Sequence, residues 1–370
     1  MSQRHPHDET QARRQRRIDF DVLGPLVLLG FLASIIAVAL SLAAIGSNDN
    51  NSTADVAPAA STSASSMPGM ESTAAPEDLK ADFTMKPYNP VTKPVAPGPK
   101  TFELVATEKN IKVGDKVYSM WTFNNSVPGP VLRAVVGDKI TIKISNDKTS
   151  KLNHSVDYHA SRMTLGGGNL QVEPGKKGEY TFTAEFPGVF MYHCATAPVL
   201  HHIGMGMYGM LIVQPKEGFG KPMPEYALTQ SELYANGDHI DTNTPDAMAF
   251  NGIPSQYIQA PIKVKANSNM RLFVLNAGPS EQSSFHVIGT IFDTAFADGN
   301  PKNVTYGRQA LGIPTSGGAV FEMFLRGEGQ YPFVTHQFNL AAKGAIGMIL
   351  AGDGKPGPGA IEDAGANGHH

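Results

Sequence analysis

Residues 135–147 read VVGDKITIKISND, and they decide the fold. After the Gly137–Asp138 turn signal, Ile140, Ile142 and Ile144 alternate with Thr141, Lys143 and Ser145. A period of two puts the three isoleucines on one face and the polar residues on the other, the pattern of a half-buried strand. The same texture occurs upstream in TFELVATEKNIKV (101–113) and downstream in KKGEYTFTAEF (176–186). Short β-branched and aromatic runs separated by Gly, Pro, Asn and Asp continue to about residue 353, without sustained helical periodicity. Closely spaced strands with turn signals predict an all-β chain of antiparallel sandwiches or Greek-key barrels.

The pattern repeats. VVGDKITIKISND, HSVD, VEPGKKGEYTFTAEFPGVFMYH and GMYGMLIV are echoed by KANSNMRLFVLNAG, HVIG, IPTSGGAVFEMFLRGEGQYPFVTH and GAIGMILA. Strand, histidine, Gly-containing turn, strand, aromatic run, histidine and Gly-flanked last strand recur in order, offset by about 130–145 residues. Two sandwich domains of one type follow, over residues 100–217 and 222–353. His286 occupies the position equivalent to His154, and His336 that of His193.

The remaining segments have other compositions. Arg13–Arg17 (RRQRR) precedes Val22–Gly46, 25 residues without a charge. As a helix this run spans about 37 Å, enough for a hydrocarbon core of about 30 Å. The arginines place residues 1–21 in the cytoplasm and the rest outside. A cleaved secretory signal, with SLAAIG offering the small residues, is the alternative and also exports the folded part. Residues 47–99, rich in Ser, Ala, Thr and Pro, read as a flexible linker, and 354–370 as a flexible tail. A net charge of −3 with 17% charged residues gives no footprint for nucleic acid.

The chemistry concentrates in MYHCATAPVLHHIGMGMYG (191–209), which holds the chain's one cysteine. A single cysteine excludes an intramolecular disulfide and a multi-cysteine zinc or iron–sulfur site. Cys194, His202 and Met207 instead have the ingredients of a mononuclear copper electron-transfer centre: one thiolate, imidazoles and a weak thioether. His154, in LNHSVDYHA, is the candidate for the second imidazole. His201 competes with His202, and Met205 with Met207, for the same roles. Strand parity then sorts the neighbours. If His154 and Cys194 share a face, Asp157, His159 and His193 fall on the other. Two metal sites joined through the Cys194–His193 peptide follow.

With these residues in place, residues 100–353 resemble the copper-containing nitrite reductases, and the HCA…APV…HI…GMYG…IV block is similar to the branch with a shortened copper loop. The resemblance implies two tandem cupredoxin domains and a homotrimer with two coppers per subunit. It assigns the type 1 copper to His154, Cys194, His202 and Met207. It assigns the type 2 copper to His159 and His193, with His336 supplied by the neighbouring subunit. Asp157 and His286 match the family's catalytic aspartate and histidine, and Ile288 the isoleucine that packs over the substrate.

The implied reaction is the one-electron reduction of nitrite to nitric oxide and water. The electron comes from a small donor, a cupredoxin or c-type cytochrome, and enters at the type 1 copper. Two alternatives carry less of the sequence. A laccase-like multicopper oxidase needs several His-x-His pairs, and after residue 46 the chain has none. A cupredoxin-type electron carrier would need only the first site and leaves Asp157, His159, His193, His286, Ile288 and His336 without a role.

Overall fold

The computed structural model describes residues 79–164 and 170–353. They form four sheets and four short helices. In the first sheet, strand Lys139–Asn146 lies parallel to Lys100–Val113 and antiparallel to Lys177–Thr183, while Lys116–Phe123 forms a hairpin with Lys100–Val113. The second sheet runs Leu132–Val135, Tyr208–Gln214, Gly188–His193, Asp157–Tyr158. The second half of the chain repeats this connectivity. Strand Ser268–Gly278 lies parallel to Glu225–Leu233 and antiparallel to Gly318–Leu325. Ile262–Val264, Ile346–Ala351, Gly329–Thr335 and Ser283–Val287 follow one another as the second sheet's strands do. The repeat seen in sequence is thus a repeat of strand pairing.

Three apolar clusters hold these layers. One lies between the first two sheets and includes Leu104, Ile142, Tyr192, Cys194 and Leu211. Another joins Leu228, Leu272, Phe285, Phe321, Phe333 and Ile349 from the last two sheets. The third packs Met191, Met210 and Ile212 from the second sheet against Phe273, Leu275 and Val320 from the third. The second sheet is therefore covered on both faces. Its strand Tyr208–Gln214 is buried at every residue, which is why YGMLIV reads as a continuous apolar run and not an alternation.

The end of the expected linker is structured. Phe83–Thr84 pairs in parallel with Ile111 and Lys112, and Val91–Thr92 pairs with Glu225 and Tyr226. Between and after them, Tyr88 N–H donates to Gln256, Val95 N–H to Gln214 and Gly98 N–H to Asp138. The linker expectation is corrected over 79–99: strand pairing, packing of Phe83 and Met85 against an apolar cluster, and hydrogen bonds to other segments pin these residues. Among the described residues, no helix is long and apolar enough to cross a membrane. The predicted span at 22–46, residues 1–21, the first part of the linker and the tail 354–370 lie outside the described residues.

Candidate metal centres

Strand Gly188–His193 delivers two adjacent residues to opposite sides. Along it, Met191 joins the cluster facing the third sheet and Tyr192 joins the cluster facing the first. The alternation continues through His193 to Cys194, which is fully buried between the first two sheets. Residues 154–156 lie outside the short strand Asp157–Tyr158; His154 is held by an isolated bridge to Val172. The face assignment nevertheless separates the same residues into two groups.

The first group is His154, Cys194 and His202, each fully buried, with ligand atoms within 4.8 Å of one another. Cys194 Sγ lies 3.1 Å from His202 Nδ1 and 4.0 Å from His154 Nδ1. Helix Val199–Gly204 brings His202 in, and Gly206, at φ +118°, turns the chain so that the Met207 carbonyl accepts from Cys194 N–H at 3.0 Å. Val127 leaves no room for a Cβ at Gly206. His201 points elsewhere, with its Nε2 2.6 Å from Asp241. Met205 and Met207 are both buried in the cluster that contains Cys194.

Burial pushes the Cys194 thiol up, but hydrogen bonds and charge from His154 and His202 outweigh it and bring it well below the ordinary thiol range. A buried thiolate facing two imidazole nitrogens, with a thioether on the adjoining backbone, is a donor set that suits copper in both oxidation states. The residues present therefore fit that metal.

The second group is Asp157, His159 and His193, whose ligand atoms also lie within 4.8 Å of one another. His193 pairs with Asp157 across the strands, and its Nε2 is 3.1 Å from His159 Nε2 and 3.9 Å from the Asp157 carboxylate. His193 Nδ1 is 2.8 Å from the Cys194 carbonyl. A carbonyl only accepts, so Nδ1 carries the proton and Nε2 keeps the lone pair that faces His159. Two imidazole nitrogens and a carboxylate oxygen converge there, a set that fits a metal ion with a further position open.

Among the described residues, His336 and His286 belong to neither group. They lie together instead: their ring centroids are 5.7 Å apart, and His336 also packs edge-on against Phe338 at 4.7 Å. His286 Nδ1 donates to the Gln309 carbonyl, and Ile288 is exposed nearby in sequence. At the place where the first half carries helix Val199–Gly204, the second half carries Phe338–Ala342, which buries Leu340 and Ala341 and no ligand type.

Three residues around the first group escape sequence reasoning. Ser155 N–H donates to Cys194 Sγ at 3.3 Å, its Oγ accepts from Ala195 N–H, and nothing in HSVD signals either. Trp121, the chain's one tryptophan, packs 4.6 Å from the His202 ring and 5.9 Å from His154. Glu108 accepts from His154 Nε2 at 3.2 Å.

Comparison with known proteins agrees with this chemistry. The multicopper oxidase family model matches residues 105–218, which span both ligand groups. A copper-containing nitrite reductase of Neisseria gonorrhoeae is 36% identical over 263 residues, 67% of each chain. A copper nitrite reductase structure from Nitrosomonas europaea superposes with a TM-score of 0.66 at 36% identity, covering 69% of this chain and 94% of that one. One from Thermus scotoductus SA-01 also gives a TM-score of 0.66, at 33% identity, covering 70% of this chain and 64% of that one. With its mostly β fold and its paired donor clusters, the chain belongs to the copper-containing nitrite reductases.

Proposed function

We propose that the chain reduces nitrite with one electron and two protons to nitric oxide and water. The observation that carries this reading is the juxtaposition of a buried Cys–His₂ group and an Asp–His₂ group across the single Cys194–His193 peptide. His154, Cys194, His202 and Met207 would hold a type 1 copper. His159 and His193, completed by His336 from a neighbouring subunit of a homotrimer, would hold a type 2 copper. Bound there, copper would supply one-electron chemistry at the first site and polarisation of a nitrite oxygen at the second. The Cys194–His193 peptide is the covalent path between them.

Asp157 stands beside His193 and retains 37% side-chain exposure, so it is reachable by a small anion. Its carboxyl would hydrogen-bond a nitrite oxygen and deliver one proton. His286 would supply the second, as a general acid positioned beside the site. Ile288 would limit the orientations of nitrite. Two tandem cupredoxin-like sandwiches (100–217 and 222–353) would frame the sites, tethered outside the membrane by the helix predicted at 22–46. The electron would come from a small cupredoxin or c-type cytochrome. A carrier or a laccase-like oxidase accounts less well for the Asp157–His159–His193 group. Nitric oxide evolution from nitrite, with copper counting and native mass, tests the proposal. A copper-loaded trimer without that activity would defeat it.

A further inference from the structure

The two imidazoles that face Cys194 are held differently at their far ends. Nε2 of His202 is buried without a hydrogen-bond partner among the described residues, and its ring rests on Trp121. Nε2 of His154 is 3.2 Å from Glu108 Oε1. That same oxygen accepts the Lys151 and Leu152 N–H groups at 2.9 and 3.0 Å. Glu108 and Trp121 are cross-strand partners in the hairpin of Lys100–Val113 and Lys116–Phe123. One residue pair on one hairpin therefore supports both imidazoles, His154 by a hydrogen bond from its ring to Glu108 and His202 by ring contact with Trp121.

We infer that Glu108 is a positioning residue for the electron-entry copper, fixing His154 through its Nε2–H and biasing that copper towards its oxidised state. The inference rests on the reading of His154, Cys194 and His202 as a copper site. A carboxylate only accepts, so His154 carries its proton on Nε2 and keeps its Nδ1 lone pair towards Cys194. The two backbone N–H bonds tie Glu108 to the segment leading into His154, so the ring orientation is set before any metal arrives. A carboxylate behind a ligating imidazole makes it a stronger donor. It also places negative charge on the far side of the ring, where the Glu108 side chain is only 16% exposed and screening is weak. Both effects favour the more highly charged oxidation state.

The test is a redox titration of the copper-loaded full chain, followed by the thiolate-to-copper absorption band, in wild type, Glu108→Gln and Glu108→Leu. Gln keeps an acceptor and removes the charge. It should retain the band and the copper count while shifting the one-electron equilibrium towards reduced copper by up to about tenfold, or about 59 mV. Leu removes both and should also weaken copper binding by about 10–100-fold. A Gln variant with an intact band and an unmoved potential overturns the inference, even if its melting temperature falls. Should the Leu variant fail to fold, the Gln variant decides alone. A wild-type chain that takes up copper without the band overturns the site reading, and the inference with it.

Discussion

Cys194 and His193 are joined by one peptide bond, yet their side chains enter different donor groups. Cys194 Sγ faces His202 Nδ1 at 3.1 Å, and His193 Nε2 faces His159 Nε2 at 3.1 Å. Strand alternation sends the two side chains to opposite faces, helix Val199–Gly204 brings His202 to the first, and the two sites are separable by mutation. Cys194→Ser should remove the intense thiolate–copper absorption and lower the copper content by about one per chain. The hydroxyl is too weak a ligand to replace the thiolate. Elemental analysis with a visible spectrum checks this, and loss of both coppers would show that the sites depend on each other.

Asp157→Asn tests the second group. The amide keeps the size of the carboxyl and removes the acid, so the thiolate band should be unchanged. Nitric oxide formation should fall by about 10²–10⁴-fold, the usual range for removing a positioned general acid. Assaying nitrite turnover beside the spectrum separates the two readouts. Unchanged turnover would remove Asp157 from the mechanism.

The adjacent histidines of helix Val199–Gly204 should behave oppositely. His202→Ala should abolish the thiolate band, because His202 is the ring beside Cys194. His201→Ala should keep the band, since its Nε2 faces Asp241 and not Cys194, and lower stability through the loss of a buried ring. A visible spectrum and a denaturant titration of each variant check both outcomes. Loss of the band in His201→Ala alone would reverse the assignment.

Much of this was legible because the relevant signals are local. Alternation at 140–145 marks the strand, and Cys194, His202 and Met207 sit close enough in sequence to suggest one metal site. Residues 79–99 resemble a linker because their order comes from partners distant in sequence: strands near Ile111 and Glu225, and hydrogen bonds to Gln214, Gln256 and Asp138. Glu108 was missed for a related reason. In TFELVATEKNIKV a glutamate reads as part of a solvated face, and its imidazole partner lies 46 residues later. The choice between His201 and His202 needed the helix, because adjacent residues point about 100° apart only once helical geometry is known.

The buried ionic network offers a test of stability independent of copper. Glu225 joins Arg133 and Arg271, both at 2.6 Å, and Arg271 continues to Glu322. The two guanidiniums come from strands of different sheets and lie over Phe273 and Phe219. Side-chain exposure is 5% or less at Arg133, Glu225 and Arg271, so water cannot replace a lost partner. Glu225→Gln leaves two neighbouring cations without their shared counter-charge and should cost about 3–5 kcal/mol. Equilibrium denaturation of the copper-loaded variant measures this, with the thiolate band reporting that the first site stays intact below the transition. Replacing Arg133, Glu225, Arg271 and Glu322 together by apolar residues of similar volume should be far milder, because no charge is then stranded. A loss below about 1 kcal/mol for Glu225→Gln would mean that solvent reaches the network, as it does at exposed pairs.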